Sequence, residues 1–194
     1  IPADFSLPGA FNRENAVTAL AALKTLLGDS RLLSSAVDGF RKVAWPGRFQ
    51  RVGDFIVDGA HNPPAARALR VALEDIRRKT LDLICGFCGD KDVDEVLSIL
   101  APIVKKGFAV MTNNPRSLSA EETAAKMRAA GIDAIACPSL RSAIEQSNNQ
   151  TIICGSLFLA GEALVELGAY PWGAPRFDKS ELVVGHSMPR SGVE

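Results

Sequence analysis

Between residues 48 and 168, short apolar runs alternate with longer stretches of helical periodicity, and no other feature of the sequence restricts the fold as much. The runs at 55–58, 81–85, 108–112, 133–136 and 151–154 are each four or five residues long. They carry few polar residues, as expected of strands covered on both faces. Helices are expected at about 64–78, 93–105, 120–130, 140–147 and 157–167. This order predicts an α/β fold, a mostly parallel sheet with helices on both faces. Residues 50–52 add an edge strand paired with the first.

The flanks differ in character. A helix is expected over 13–27, where Ala16, Leu20, Leu23 and Leu27 recur at three- and four-residue spacing, with Asn12 as its N-cap and Gly28 as its stop. A second helix follows at about 30–40. Trp45-Pro46-Gly47 then breaks the periodicity and marks a boundary. The chain therefore divides into a helical unit at 1–44, the alternating unit at 45–168 and a tail at 169–194. The tail holds Pro171, Gly173, Pro175, Pro189 and Gly192 without sustained periodicity and is expected to be poorly structured; its His186 has no neighbour suggesting a ligand or a base.

Composition narrows the class. Hydrophobic residues at 47% of 194 support a packed core. Lys+Arg and Asp+Glu are equal at 22 each, which gives no reason to expect nucleic acid or an anionic membrane as partner. No apolar run approaches the roughly 20 residues of a membrane span. The start, Ile1-Pro2-Ala3-Asp4-Phe5, lacks a signal peptide's basic and apolar regions and has no Met, so Ile1 is read as internal to a longer protein. A cytoplasmic location and four reduced cysteines are expected. Cys85 and Cys88 form a C-x-x-C, but no second pair completes a zinc site, and Cys85 ends an apolar run rather than opening a helix.

Ligands of open parallel sheets bind at the carboxyl ends of the strands. There this chain places Asp58-Gly59-Ala60-His61-Asn62-Pro63, Gly86-Phe87-Cys88-Gly89-Asp90-Lys91-Asp92, Asn113-Asn114-Pro115-Arg116-Ser117 and Gly155-Ser156. Singly, each has a plainer explanation. Asp58 suits a turn cap, Asn62-Pro63 a helix start, Asp90 and Ser117 N-caps, and Arg116 an exposed loop. Their common rim is the stronger observation, because unrelated caps need not gather His, Arg, Lys and Ser along one edge. Arg48 follows the Pro46-Gly47 break, where a guanidinium can fork onto phosphate oxygens. A G-x-x-x-x-G-K-[ST] loop, a G-x-G-x-x-G turn, a G-x-S-x-G elbow and an H-E-x-x-H pair are all absent from this sequence.

Taken in order, several motifs resemble the folylpolyglutamate synthase/dihydrofolate synthase family, relatives of the Mur peptide ligases. They are Leu7-Pro8-Gly9-Ala10-Phe11-Asn12-Arg13-Glu14-Asn15-Ala16, Trp45-Pro46-Gly47-Arg48-Phe49-Gln50, Ile56-Val57-Asp58-Gly59-Ala60-His61-Asn62-Pro63, Gly89-Asp90-Lys91-Asp92, Pro115-Arg116-Ser117 and Cys154-Gly155-Ser156-Leu157. The resemblance spans nearly the whole chain except the tail, and PGRF followed by DGAHNP is its most specific part. Phe11-Asn12 departs from the polar His-Gln or His-Asn pair common at that place.

The resemblance implies a Rossmann-like C-terminal domain preceded by the last helices of a truncated central ATPase domain. It implies that ATP phosphorylates a pteroate or folate carboxylate and that the amine of L-glutamate displaces the phosphate, with Mg²⁺ required. By position, Asn15 would contact adenine, Arg48 the ATP phosphates and Asp58 the ribose. His61 would lie near the phosphates and the incoming glutamate, and Ser156 would hold that glutamate. The P-loop and the Mg²⁺ ligands would belong to an N-terminal segment outside this sequence. A monomer is expected, inactive on its own. Both synthase activities fit the motifs. A Mur-type ligase of peptidoglycan precursors, a non-catalytic nucleotide-binding module and a thiol oxidoreductase are the competing readings.

Overall fold

The computed structural model describes residues 1–28, 30–74, 80–89 and 92–169. Residues 170–194 with His186, the pair Asp90 and Lys91, and the end of the helix expected to reach 78 lie outside the described residues.

Two helices open the chain, α1 (Ala10–Leu27) and α2 (Ser30–Phe40). Helix α1 starts earlier than its apolar spacing predicts, because Pro8-Gly9 turns the chain directly into it. Gly9, at φ 93°, occupies the N-cap without a side-chain cap. Asn12 is therefore not the cap. It lies inside the first turn, and its Nδ2 donates to the Pro8 carbonyl at 2.6 Å. Gly28 closes the helix in the left-handed conformation, as expected.

Among the described residues, the remainder is one six-stranded sheet with five α-helices. Its elements are β1 (Gln50–Val52), β2 (Phe55–Val57), α3 (Pro63–Glu74), β3 (Leu81–Cys85), α4 (Val93–Leu100), β4 (Val104–Ala109), α5 (Ala120–Ala129), β5 (Asp133–Ala136), α6 (Leu140–Gln146), β6 (Thr151–Cys154) and α7 (Leu157–Glu166). The spatial order is β1-β2-β6-β3-β4-β5. The edge pair β1–β2 is antiparallel, with Gln50 opposite Val57, and the other four pairings are parallel.

The expected helix at 93–105 is shorter and the following strand begins sooner. Pro102 lacks the N–H that an α-helix needs, so α4 ends at Leu100 and a single 3-10 turn covers Ala101–Ile103. Lys105, read as the end of that helix, lies in β4 with Lys106 instead. Lys105 is exposed, and Lys106 extends over the Phe108 ring at 5.3 Å.

Period-two alternation sorts the strand side chains into two layers. Leu81, Leu83 and Cys85 join Ile56, Ile152 and Cys154 beneath α3, α4 and α5. Ile84, Ile153, Val57 and Phe108 face the opposite way, against α6 and α7. Burying each large aliphatic or aromatic side chain of these layers stabilises the fold by roughly 1.5–3 kcal/mol.

This topology positions the site. Strand β6 is inserted between β2 and β3. The loops leaving β2 and β3 run to helices on one face, and the loop leaving β6 runs to α7 on the other. Adjacent loops diverge there and open a crevice at the strands' carboxyl ends.

Candidate active site at the carboxyl edge of the sheet

The crevice is built from backbone brought close by glycine. Gly155, at φ 109°, donates its N–H to the Ala60 carbonyl at 2.7 Å, which ties the β6 loop to the β2 loop. A Cβ at Gly155 would come within 2.8 Å of the Gly86 carbonyl oxygen, so the β3 loop packs as closely on its other side. Three loops well separated in sequence thus form one floor.

Above that floor is a cavity of about 160 Å³ lined by His61, Cys88, Arg116, Ser156, Leu157 and Phe158, with Gly155 at its base. His61 Nδ1 lies 2.8 Å from the Gly59 carbonyl. A carbonyl only accepts, so Nδ1 carries a proton, and Nε2 is an acceptor whenever the ring is uncharged. Ser156 is buried at the N-cap of α7, where its Oγ accepts from the Phe158 N–H at 3.1 Å. Asn62 Oδ1 accepts from the Ala65 N–H at 2.9 Å and so opens α3.

Two capping expectations change. Ser117 does not cap α5; its hydroxyl takes the Thr112 N–H at 3.1 Å and knits the loop after β4. Ser119 forms the capping box with Glu122 instead. Asp92 caps α4, accepting from the Glu95 N–H at 3.3 Å.

Arg48 and Asn15 lie at a different cavity, of about 330 Å³, between α1 and the segment joining α2 to β1. Its other walls include Phe5, Phe11, Asn12, Phe40 and Trp45, so the Phe11-Asn12 departure faces this space. Arg48 also lines a neighbouring cavity of about 510 Å³ beside Lys42 and Arg51.

Asp58 belongs to neither of the two cavities that hold the other candidates. It is 4% exposed, and both of its carboxylate oxygens accept backbone N–H groups at 2.8 Å, Oδ2 from Phe49 and Oδ1 from Ala60. Burial pushes its carboxyl above the usual range, while those two N–H groups and the charges of Arg48 and His61 pull the other way.

The five candidates thus separate into Asn15 with Arg48, His61 with Ser156, and Asp58 buried between them. Sequence reasoning missed Cys88, Leu157 and Phe158 as cavity walls. Leu157 at 53% exposure and Phe158 at 49% are apolar side chains half open to solvent at a helix start, a position whose burial a sequence does not reveal. Glu162 was also missed. From α7 its Oε1 accepts from the Asn113 N–H at 2.9 Å and holds the loop that carries Arg116. The four cysteines are free and buried, and burial raises the Cys85 thiol well above its ordinary range, opposite to what an attacking thiolate needs.

Residues 47–157 match the family described as "Mur ligase, glutamate ligase domain". This chain belongs to the Mur ligase family. Among its relatives, the probable dihydrofolate synthetase of Schizosaccharomyces pombe is 29% identical over 182 residues, covering 81% of this chain and 43% of that protein. The dihydrofolate synthase/folylpolyglutamate synthase of Mycobacterium tuberculosis is 34% identical over 131 residues, 62% of this chain and 27% of that one. The structure of the M. tuberculosis folylpolyglutamate synthase complexed with ADP and AMPPCP superposes with a TM-score of 0.78 at 29% identity, covering 85% of this chain and 42% of that one. The chain spans less than half the length of these relatives. The match begins at Gly47, within the turn that carries Arg48, and ends at Leu157, one residue beyond Ser156.

Neither of the two cavities is lined by a carboxylate side chain, and among the described residues no group of three His, Cys, Asp or Glu could hold a metal ion. Mg²⁺ at nucleotide sites is held by one or two carboxylates together with phosphates. The described residues do not fit such a site.

Proposed function

We propose that this Mur ligase domain is the glutamate-accepting part of an ATP-dependent ligase. In the reaction, ATP phosphorylates the carboxylate of dihydropteroate or a folate, and the amine of L-glutamate displaces phosphate from the acyl phosphate. The observation that carries this reading is the loop 58–62. It is bonded to the Arg48 turn on one side and to the Gly155-Ser156 loop on the other, so one short segment joins two cavities of different character.

The aromatic-walled cavity suits a purine, with Asn15 at the base, Arg48 toward the phosphates and Asp58 near the ribose. A guanidinium there would stabilise charge on the transferring phosphoryl group. The smaller cavity, with His61, Arg116 and the N-terminus of α7, suits an amino acid bearing carboxylates. His61 Nε2 is an acceptor for the proton the amine loses, and Ser156 helps hold the glutamate. The P-loop and the Mg²⁺ ligands would come from the rest of the protein, so the 194-residue chain alone is inactive.

The test is an assay of the protein encoded by the full reading frame, with ATP, L-glutamate and either dihydropteroate or a reduced folate. ADP release and a product heavier by one glutamate are expected; no ADP with either acceptor would sink the proposal. Arg48→Ala is expected to lower kcat by roughly a hundredfold to a thousandfold, with the melting temperature little changed. Full turnover in that variant removes Arg48 from the site, and ATP turnover by the 194-residue chain alone overturns its predicted inactivity.

A further inference from the structure

The cavity beside His61 has two walls that reach it from opposite faces of the sheet. Ser156, Leu157 and Phe158 belong to the start of α7, and Arg116 belongs to the loop after β4. Helix α7 packs on one face, whereas that loop runs on to α5 on the other. Arg116 is exposed on the loop, so the cavity keeps its shape only while the loop is held against the helix.

The two ends of the loop are held by different partners. Its C-terminal end is fastened to the loop after β3. Gly89 N–H donates to the Arg116 carbonyl at 3.0 Å, and Leu118 N–H donates to the Phe87 carbonyl at 2.8 Å. Ser117 Oγ closes the base of the loop by accepting the Thr112 N–H at 3.1 Å. None of these bonds reaches α7. The N-terminal end does, where Asn113 N–H donates to Glu162 Oε1 at 2.9 Å. Glu162 follows Phe158 by four residues, which places both side chains on one face of the helix, a turn apart. One face of α7 therefore supplies an apolar wall of the cavity and the carboxylate that grips the opposite loop. Glu162 itself does not line the cavity.

We propose that Glu162 is a positioning residue that acts through Arg116: by gripping the Asn113 N–H it holds the guanidinium across from the start of α7 and so sets the affinity for the amino acid's carboxylate. The kinetic consequence rests on the ligase reading, though the grip itself does not.

The test uses variants of the full-reading-frame protein, assayed with ATP, a reduced folate and L-glutamate. Glu162→Ala is expected to raise KM for L-glutamate about tenfold, the scale of one hydrogen bond to a charged group. KM for ATP should not change, because Arg48 and Asn15 line a separate cavity. Glu162→Gln keeps an acceptor for the Asn113 N–H and should restore KM for L-glutamate to within about threefold of wild type. In an Arg116→Ala background, Glu162→Ala should have little further effect.

An unchanged KM for L-glutamate in Glu162→Ala, or equal rises for L-glutamate and ATP, overturns the proposal. Glu162→Gln as damaging as Glu162→Ala also overturns it, because the charge rather than the grip would then matter. Losses that multiply in the double variant rule out a route through Arg116. If the wild type forms no ADP, the ligase reading fails alone, and amide exchange tests the grip. Faster exchange across residues 113–116 in Glu162→Ala, restored in Glu162→Gln, supports it; unchanged exchange overturns it.

Discussion

At the scale of single residues, the candidate site depends on carboxylates that bond to backbone rather than to other side chains. Asp58 holds the Arg48 turn, and Glu162 holds the Asn113 N–H of the loop carrying Arg116. Burial raises the Glu162 carboxyl above its ordinary 4.5, with the Asn113 N–H opposing. The sign of the pH effect follows. Above pH 4.5 the folded state holds this proton more firmly than the unfolded chain does. The group's contribution to stability is therefore full below 4.5 and is lost as pH rises through the raised value. Glu162→Gln retains an acceptor for Asn113 and removes the titration. Denaturation of both proteins between pH 4 and 7 should show the stability of wild type relative to variant falling as pH rises; a flat difference would contradict the assignment.

At the scale of elements, helix and strand types followed from periodicity, and boundaries moved where one residue overruled it. Pro102 cut α4 short and left Lys105 in β4, although a lysine after an apolar helix reads as its last turn. Strand β4 also needs Gly107 for contact with α5. A Cβ there would lie 2.3 Å from Met127 Cε and 3.0 Å from both Ala134 Cβ and Ile132 Cγ2. Met127 is fully buried and has little room to retreat. Gly107→Ala should cost about 1–3 kcal/mol by overpacking, read from the shift in denaturation midpoint. A neutral change would mean that α5 shifts freely on the sheet.

At the scale of the whole molecule, the order β1-β2-β6-β3-β4-β5 makes β3 and β6 the central pair, with β3 buried along its entire length. Leu83 is fully buried at the middle of that strand. Leu83→Ala should cost about 2–5 kcal/mol, whereas Val71→Ala, at a side chain 56% exposed on α3, should stay within about 0.5 kcal/mol. Equal effects in urea titrations would show that the core is not where the topology places it. The same order creates the crevice, since only the insertion of β6 between β2 and β3 makes neighbouring loops part to opposite faces.

The amino-acid sequence by itself determined the α/β class, the strands at β3, β5 and β6, the edge pairing of β1 with β2 and the rim on which His61, Arg116 and Ser156 gather. These depend on local periodicity, on Gly and Pro chemistry and on the direction that parallel strands impose, all of which are written along the chain. Only the tertiary structure decided which loops are neighbours, that Arg48 and His61 face separate cavities, and that Phe158 and Cys88 line one of them. It also decided the surroundings of Asp58. A carboxylate after a strand reads as a turn cap or a ligand group, and its bond from Ala60 is such a local cap, but its partner at Phe49 exists only once the two loops have met, because hydrogen bonds across a fold depend on distances that spacing in sequence does not encode.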